Sequence, residues 1–442
     1  MKMPRTPPTI PDLMSKMTAD QLTQVFSFVS SIPSMSKYLH WDKLIRYAPP
    51  SELTHEEWWL GLKLSRNTLY KNIPLQDKHG QPFKFLVTDP IPERLHHIDL
   101  GAAGRIGVPE PVTNPETRDQ YYVSSLIEEA ITSSQLEGAT TTREVAKEMI
   151  RTGRPPRDHS ERMILNNFLT MQQISEIKGR SLTKDLILEL HGMVTNGTLP
   201  DPSATGRLRR KDENIFIGDN KGVVFHVPPP AEELEDRMAA MCDFANGKIP
   251  SYFIHPVLRS IILHFWLAYD HPFVDGNGRT ARALFYWSML HYGFWLCEYI
   301  SISHIILKAP AQYGRAFLYT ETDDNDLTYF ILHQIEVIRR ALDELHNYIE
   351  TKATQLKAIE RELRSMVLFN HRQREIVSHA LRHPHHQYTI EGHKRSHNIV
   401  YQTARTDLLS LRERGILDAW KVGKTWYFTP VSDFEAKLKK LV

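Results

Sequence analysis

The sequence predicts a mainly α-helical protein, a helical bundle carrying one β-hairpin and followed by a small winged helix-turn-helix domain, and three observations predict it. Residues 257–269, VLRSIILHFWLAY, are apolar on nearly every side, as a helix at the centre of a bundle must be. Residues Ile215 to Val227 read IFI-GDNKG-VVFHV, two β-branched and aromatic runs around a turn. Residues 371–429 read as three short helices and then ILDAWKVGKTWYFTP, a two-stranded wing.

A chain of 442 residues exceeds what one core usually organises, so two or three domains are expected. With 41% hydrophobic and 24% charged residues it is too rich in apolar side chains for a disordered chain. Its two cysteines, Cys242 and Cys297, have no metal-ligand spacing, which argues against a disulfide framework or zinc site and for a reducing, cytoplasmic setting. The opening MKMPRTPPTIPD lacks the apolar core of a secretion signal, and no later run is long enough to span a bilayer, so no membrane partner is expected. The net charge of +2 hides an asymmetry: residues 371–442 carry 13 Lys+Arg against 7 Asp+Glu, leaving 41 against 45 elsewhere. A basic end suits nucleic acid or an acidic protein partner.

Along the chain, residues 1–90 mix short helical patterns with Trp58, Trp59 and several prolines, and read as a structural appendage. The Pro- and Gly-rich stretch Val87 to Arg118 reads as a long connecting segment. From Asp119 to Ser134, Val123, Leu126, Ile127, Ala130 and Ile131 recur at helical spacing, with Gly138 as the stop. Amphipathic helices follow at Ser160 to Ile177 and Leu182 to Met193, then the hairpin, the central helix, a helix from near Arg279 through LFYWSML, and a long helix from Leu327 to Met366. The expected domains are 1–118, 119–365 (with the helix 119–138) and 366–442.

Between the two central helices lies HPFVDGNGRTAR, His271 to Arg282. Gly276 and Gly278 permit backbone conformations that turn successive N–H groups onto phosphate oxygens, and the next helix aims its positive end there. Arg279 and Arg282 share one face of its first turn and can reach two phosphates. Asp275 offers a hard oxygen ligand for Mg²⁺. His271 can take a proton from an attacking hydroxyl, and Phe273 reads as an apolar anchor. These residues, in this order, resemble the Fic family motif HxFx(D/E)GNGRxxR at every specified position. The resemblance extends over roughly residues 120–340, including GRLR at Gly206 to Arg209 and VPPP at Val227 to Pro230.

It implies an all-α catalytic bundle with His271 as base, Asp275 as metal ligand, Gly276, Asn277 and Gly278 around the phosphates, and Arg279 and Arg282 as clamps. The activity it implies is transfer of AMP from ATP to a Ser, Thr or Tyr hydroxyl of a protein, this one included, with pyrophosphate released. The hairpin would be the flap that pins the target by main-chain pairing. Ser133-Ser134-Gln135-Leu136-Glu137-Gly138 resembles the family's inhibitory motif (S/T)xxxE(G/N), with Glu137 expected to pair with Arg282 and hold the enzyme in check. In some relatives that glutamate serves the reverse reaction, removal of AMP, and that direction stays open.

In the C-terminal module, Ala404, Leu408, Leu411, Ile416 and Leu417 are expected in the core. Tyr401, Gln402, Arg405 and Thr406 are expected outward, where they can meet phosphates or base edges, with Lys421 and Lys424 on the wing. DNA binding and a protein-docking or dimerising role stand side by side, as does a third function in which the Fic domain senses nucleotide for a DNA reader. The histidines at 383, 385, 386, 393 and 397 fit no tetrahedral metal set, and His255 and His264 read as core residues with satisfied hydrogen bonds. The expected partners are therefore ATP with Mg²⁺, a target protein, a second copy of the chain, and DNA.

Overall fold

The computed structural model of the chain describes all residues except 1, 32–36, 51–52, 104–114, 220, 366–367, 384–385, 432–433, 435–436 and 439–442. Two compact units emerge, residues 1–104 with 125–342, and residues 343–442 with 105–124.

The first unit opens with α1 (Ile10–Lys16), α2 (Ala19–Ser31), α3 (Trp41–Leu44) and α4 (His55–Asn67), whose apolar faces meet in a small cluster of Leu13, Val25, Leu44, Trp59, Leu60 and Leu62. A capping box between Thr54 and Glu57 starts α4. The antiparallel pair β1 (Lys71–Gln76) and β2 (Pro82–Phe85) follows. These residues are integral to the unit rather than an appendage. Buried Lys63 pairs with Asp323 at 2.7 Å, and the hydroxyls of Tyr38 and Tyr70 both donate to Asp326, at 2.5 and 2.8 Å.

The expected connecting segment is also partly regular. α5 (Ile91–Ile98) forms with a proline in its first turn, where the missing N–H costs nothing, and one π-turn continues it over Asp99–Ala103. The remainder of GAAGRIG and most of EPVTNPE lie outside the described residues.

α6 (Pro115–Leu136) is the helix expected over 119–134. Its buried Glu129 accepts from the hydroxyls of Tyr286 and Ser301 and from the backbone N–H of Ser303, at 2.8 to 3.1 Å, which fixes where the last turn of α6 lies. α7 (Arg143–Thr152), α8 (His159–Ile177) and α9 (Lys184–Thr195) come next, then the hairpin. Its strands are short, β3 (Ile217–Gly218) and β4 (Val224–His226), paired Ile217 to His226 and Gly218 to Val224. α10 (Leu234–Ala245) leads into the centre.

α11 (Pro256–Asp270) and α12 (Asn277–His291) pack against each other at the core, and nearly every residue of both is buried. Burying one such Leu, Ile or Phe side chain contributes about 1.5–3 kcal/mol, so this pair is the rigid platform of the unit. A hydrogen bond of 2.8 Å between the hydroxyls of Ser260 and Ser288 sets their register. α8 and α9 pack on α12. α13 (Ile302–Leu307), α14 (Pro310–Thr322) and α15 (Thr328–Ser365) complete the helices. His264, buried in α11, is only half satisfied: Nε2 meets Tyr313 Oη at 2.8 Å, while Nδ1 lacks a hydrogen-bond partner among the described residues.

The second unit contains α16 (His371–Arg382), β5 (Tyr388–Thr389), α17 (Ile390–His397), α18 (Tyr401–Glu413), β6 (Leu417–Val422) and β7 (Thr425–Pro430), in a sheet of order β5-β7-β6. Ala404, Leu408, Leu411, Ile416 and Leu417 are buried in its core with Val377, Ala380 and Phe428. Asp407, buried on α18, accepts from Arg372 Nε at 2.7 Å and Asn370 Nδ2 at 2.7 Å, and lies 3.2 Å from His393 Nε2. His385 lies outside the described residues.

Candidate active site

The loop from His271 to Gly276 is built by its own backbone and by one asparagine. His271 ends α11 in a left-handed conformation with φ 44°, which swings the chain out of the helix. Asn277, first residue of α12, closes the loop: its Oδ1 accepts from Phe273 N–H at 2.9 Å and its Nδ2 donates to Phe273 C=O at 2.8 Å. Its side chain thus shapes the loop, and its backbone N–H is among those that begin α12.

Gly276 precedes the helix at φ 82°, and a Cβ there would lie 2.6 Å from Thr195 Cγ2, so only glycine fits. Having no side chain, it caps none of the free N–H groups that begin α12. Phe273 is fully buried and stacks on His191, ring centroids 3.7 Å apart.

His191 is a supporting residue that the sequence did not disclose. Its Nδ1 accepts the backbone N–H of Gly206 at 3.1 Å, so its proton resides on Nε2, which donates to the Asp275 carbonyl at 2.9 Å. Burial pushes this ring down to a pKa of about 4, as befits a neutral buttress. Asp275 itself points its carboxylate outward, the side chain about half exposed at 54%.

The histidine at the loop's start carries the opposite tautomer. His271 Nδ1 lies 3.2 Å from the Ala268 carbonyl, which can only accept, so Nδ1 holds the proton and Nε2 keeps a lone pair. Burial lowers its pKa to about 4, so the ring is neutral near pH 7. Arg209 braces the same spot, its Nε donating to the His271 carbonyl at 2.9 Å, its Nη2 to Pro229 at the base of the hairpin.

The two arginines differ sharply. Arg279 is 1% exposed and donates once, from Nη1 to the Val194 carbonyl at 3.0 Å; its Nε and Nη2 have no hydrogen-bond partner among the described residues. Burial lowers its pKa, and the charges of Asp275, whose Oδ2 lies 4.0 Å from Nη2, and of Glu137 offset this only in part. Arg282, equally buried, is fully engaged: Nε donates to Ser133 Oγ at 2.8 Å, and Nη2 to Ser133 C=O at 3.0 Å and Glu137 Oε1 at 2.9 Å. Burial would lower its pKa too, but Glu137 raises it overall.

Glu137 reaches this position because α6 ends at Leu136 and Gly138 turns the chain with φ 92°. Its carboxylate lies over Gly278, where a Cβ would stand 2.1 Å from Oε1. An internal anion thus occupies the end of α12 at which the helix dipole favours negative charge.

The structure therefore gathers His271, Asp275, Gly276, Asn277, Gly278, Arg279, Arg282, Ser133, Glu137 and Gly138 around the start of one helix. Gln402, Arg405 and Thr406 lie in the other unit, all exposed on α18, with Thr406 Oγ1 donating back to the Gln402 carbonyl at 2.9 Å.

Residues 181–289, which hold the loop and both central helices, match the Fic/DOC family. Over 168 residues the chain is 34% identical to the protein adenylyltransferase Fic of Nematostella vectensis, covering 37% of each chain. It is 32% identical over 166 residues to the protein of that name from Drosophila willistoni, covering 36% of this chain and 31% of that one. The chain thus spans about a third of these relatives' length. A Fic family protein from Desulfovibrio desulfuricans G20 shares the fold, with a TM-score of 0.52 and 18% identity over 78% of this chain and 97% of that one.

Proposed function

We propose that this chain, which contains a Fic domain, is a protein adenylyltransferase: it moves the AMP moiety of ATP onto a hydroxyl of a protein and is held in check by Glu137. The observation that carries this reading is Arg279, a buried guanidinium at the uncapped start of a helix whose Nε and Nη2 make no hydrogen bond among the described residues and whose one nearby carboxylate, Asp275, stands off at 4.0 Å, which calls for an anionic ligand. On the loop that leads into the same helix, His271 keeps a lone pair on Nε2 as proton acceptor.

In the reaction the target hydroxyl gives its proton to His271 Nε2 as its oxygen bonds to the α-phosphorus. The bond from that phosphorus to the bridging oxygen breaks, and pyrophosphate leaves. The N–H groups of the first turn of α12 and the guanidiniums of Arg279 and Arg282 hold the phosphate oxygens. The outward carboxylate of Asp275 fits a Mg²⁺ ligand; such an ion, when bound, would neutralise phosphate charge there. Arg282 cannot serve Glu137 and a phosphate fully at once, so the resting protein is slow.

The catalytic domain is read as residues 119–365, in a cytoplasmic protein on its cysteine usage. A second reading concerns residues 371–442. Their surplus of basic residues and the exposed Gln402, Arg405 and Thr406 on α18 support binding of duplex DNA, with a dimer contact as the alternative that sedimentation would reveal. Incubation with α-labelled ATP followed by mass spectrometry tests the main reading. An AMP adduct on a hydroxyl side chain is expected. Release of AMP from a modified protein, lost on replacing Glu137, would instead establish the reverse reaction.

A further inference from the structure

His226, the last residue of β4, belongs to no expectation raised by the sequence. It is 7% exposed and both of its ring nitrogens are engaged: Nδ1 lies 2.7 Å from Glu321 Oε2 on α14, and Nε2 lies 2.8 Å from the carbonyl of Tyr269 on α11. A carboxylate and a carbonyl only accept. A neutral imidazole has one N–H, so it would leave one of these acceptors facing a lone pair at hydrogen-bond distance. Only the imidazolium satisfies both contacts. The tautomers of His191 and His271 follow from the same accounting, which makes His226 the one charged ring of the three.

From these contacts we propose that His226 is a positioning residue, an imidazolium latch that ties the flap strand to α11 two residues before the base His271 and to Glu321 of α14. This inference rests on the adenylyl-transfer reading, in which the flap holds the target segment. Around the ring, α11 also presents Asp270, which pairs with Arg237 of α10 at 3.2 Å, and the Tyr269 ring at 4.7 Å; Arg209 donates to Pro229 at the hairpin base. Glu321 is the group that faces His226 directly.

The sign of the pH dependence follows. Burial would lower the pKa of His226, but the hydrogen bond and charge of Glu321 raise it above the ordinary histidine value. The latch is thus complete below about pH 6.5, the unperturbed value, and is lost as pH rises through the folded pKa. His271, lowered to about 4, does not titrate in that window.

Two measurements on the full-length protein test the latch without any activity. In a histidine-¹⁵N spectrum assigned with His226→Gln, both ring nitrogens of His226 should show the imidazolium signature at pH 6.5, and Glu321→Gln should lower its midpoint. Amide exchange of residues 223–227 should speed up about tenfold in His226→Gln at constant pH. A neutral ring at pH 6.5, or unchanged exchange, overturns the proposal.

The link to catalysis is read in a Glu137→Gly background, by self-labelling with α-labelled ATP from pH 6 to 9. Labelling should fall along a basic limb, and adding His226→Gln should lower the pH 6.5 rate about tenfold and flatten that limb while ATP affinity stays within about twofold. Identical profiles with and without His226 overturn the positioning role. Absence of labelling at every pH would instead count against adenylyl transfer, with the spectrum and the exchange still deciding the latch.

Discussion

The start of α12 and the outward face of α18 both carry arginines that we propose meet phosphate, yet they are built on opposite principles. At α12, Arg279 and Arg282 are no more than 2% exposed, and their surroundings are arranged donor by donor. At α18, Arg405 and its neighbours stand in water, and the polar investment is made behind them, where Asp407 collects Arg372, Asn370 and His393. Chemistry on a phosphorus atom requires groups held to a fraction of an ångström in a dry pocket, and only burial with specific hydrogen bonds supplies that. A surface that slides onto a charged partner needs a rigid helix and mobile cations, which solvent provides at little cost.

The contrast breaks most visibly at His271. His271→Ala should lower AMP transfer about 10²- to 10⁴-fold, the usual worth of a positioned base, with ATP affinity nearly unchanged because the ring's one internal hydrogen bond goes to Ala268. Labelled-ATP transfer and equilibrium ATP binding, measured side by side, check both halves.

Glu137→Gly comes next. It removes the carboxylate over Gly278 and frees Arg282 from a charge-assisted bond worth about 1.5–3 kcal/mol, so self-labelling should rise roughly ten- to hundredfold. Adding Arg282→Ala should return the rate toward that of the parent, since the freed group is then missing. A rate unmoved by the first change would break the equation of this contact with a brake.

How much of this was legible follows from where each interaction is encoded. The central helix, the loop glycines and the arginine pair are local patterns, and periodicity with φ-permissive residues reveals them directly. Glu137 was legible only because a short motif happens to border the helix end. His191 and His226 were not: their more distant partners lie 84 and 95 residues away, and a single histidine carries no periodic signal of which acceptor it will meet. The part that the Asn277 amide plays in closing the loop on Phe273 was hidden as well, because a polar residue in a phosphate-binding pattern carries no sign of which backbone groups its side chain will meet. Prolines misled at α5, where Pro92 starts a helix instead of breaking one.

Asp407 sharpens the comparison from behind α18. Burial would raise its pKa, but Arg372, Asn370 and His393 hold it below the usual carboxylate range. Its contribution to stability is therefore present above about pH 3.9 and is lost as pH falls through the folded value. Asp407→Asn should cost the C-terminal unit about 1.5–3 kcal/mol at neutral pH, read as faster amide exchange in α18, and the difference from the parent should shrink in acid.

The smallest effect concerns Arg405, and it tests whether the exposed face is a nucleic-acid surface at all. An exposed arginine that meets a DNA phosphate gains little from the pairing itself, because both charges are well solvated. Most of the gain comes from counterions released from the duplex, and that term shows itself as a salt dependence. Arg405→Ala should therefore weaken duplex binding only about three- to tenfold at low salt, and lower the slope of log K against log salt by about 0.9, one phosphate contact's worth. Lys421→Ala on β6 should lower the slope by a similar amount, while Gln402→Ala, if that side chain reads a base edge, should leave the slope unchanged and reduce discrimination between sequences. A face that docks protein would answer differently: no salt-sensitive retention of duplex DNA by the parent, and a change in sedimentation on altering Tyr401, whose half-exposed ring beside Val400 is then the better anchor. Because these residues stand in solvent, none of the substitutions should alter the fold of the unit, so a change in slope reports on the contact alone.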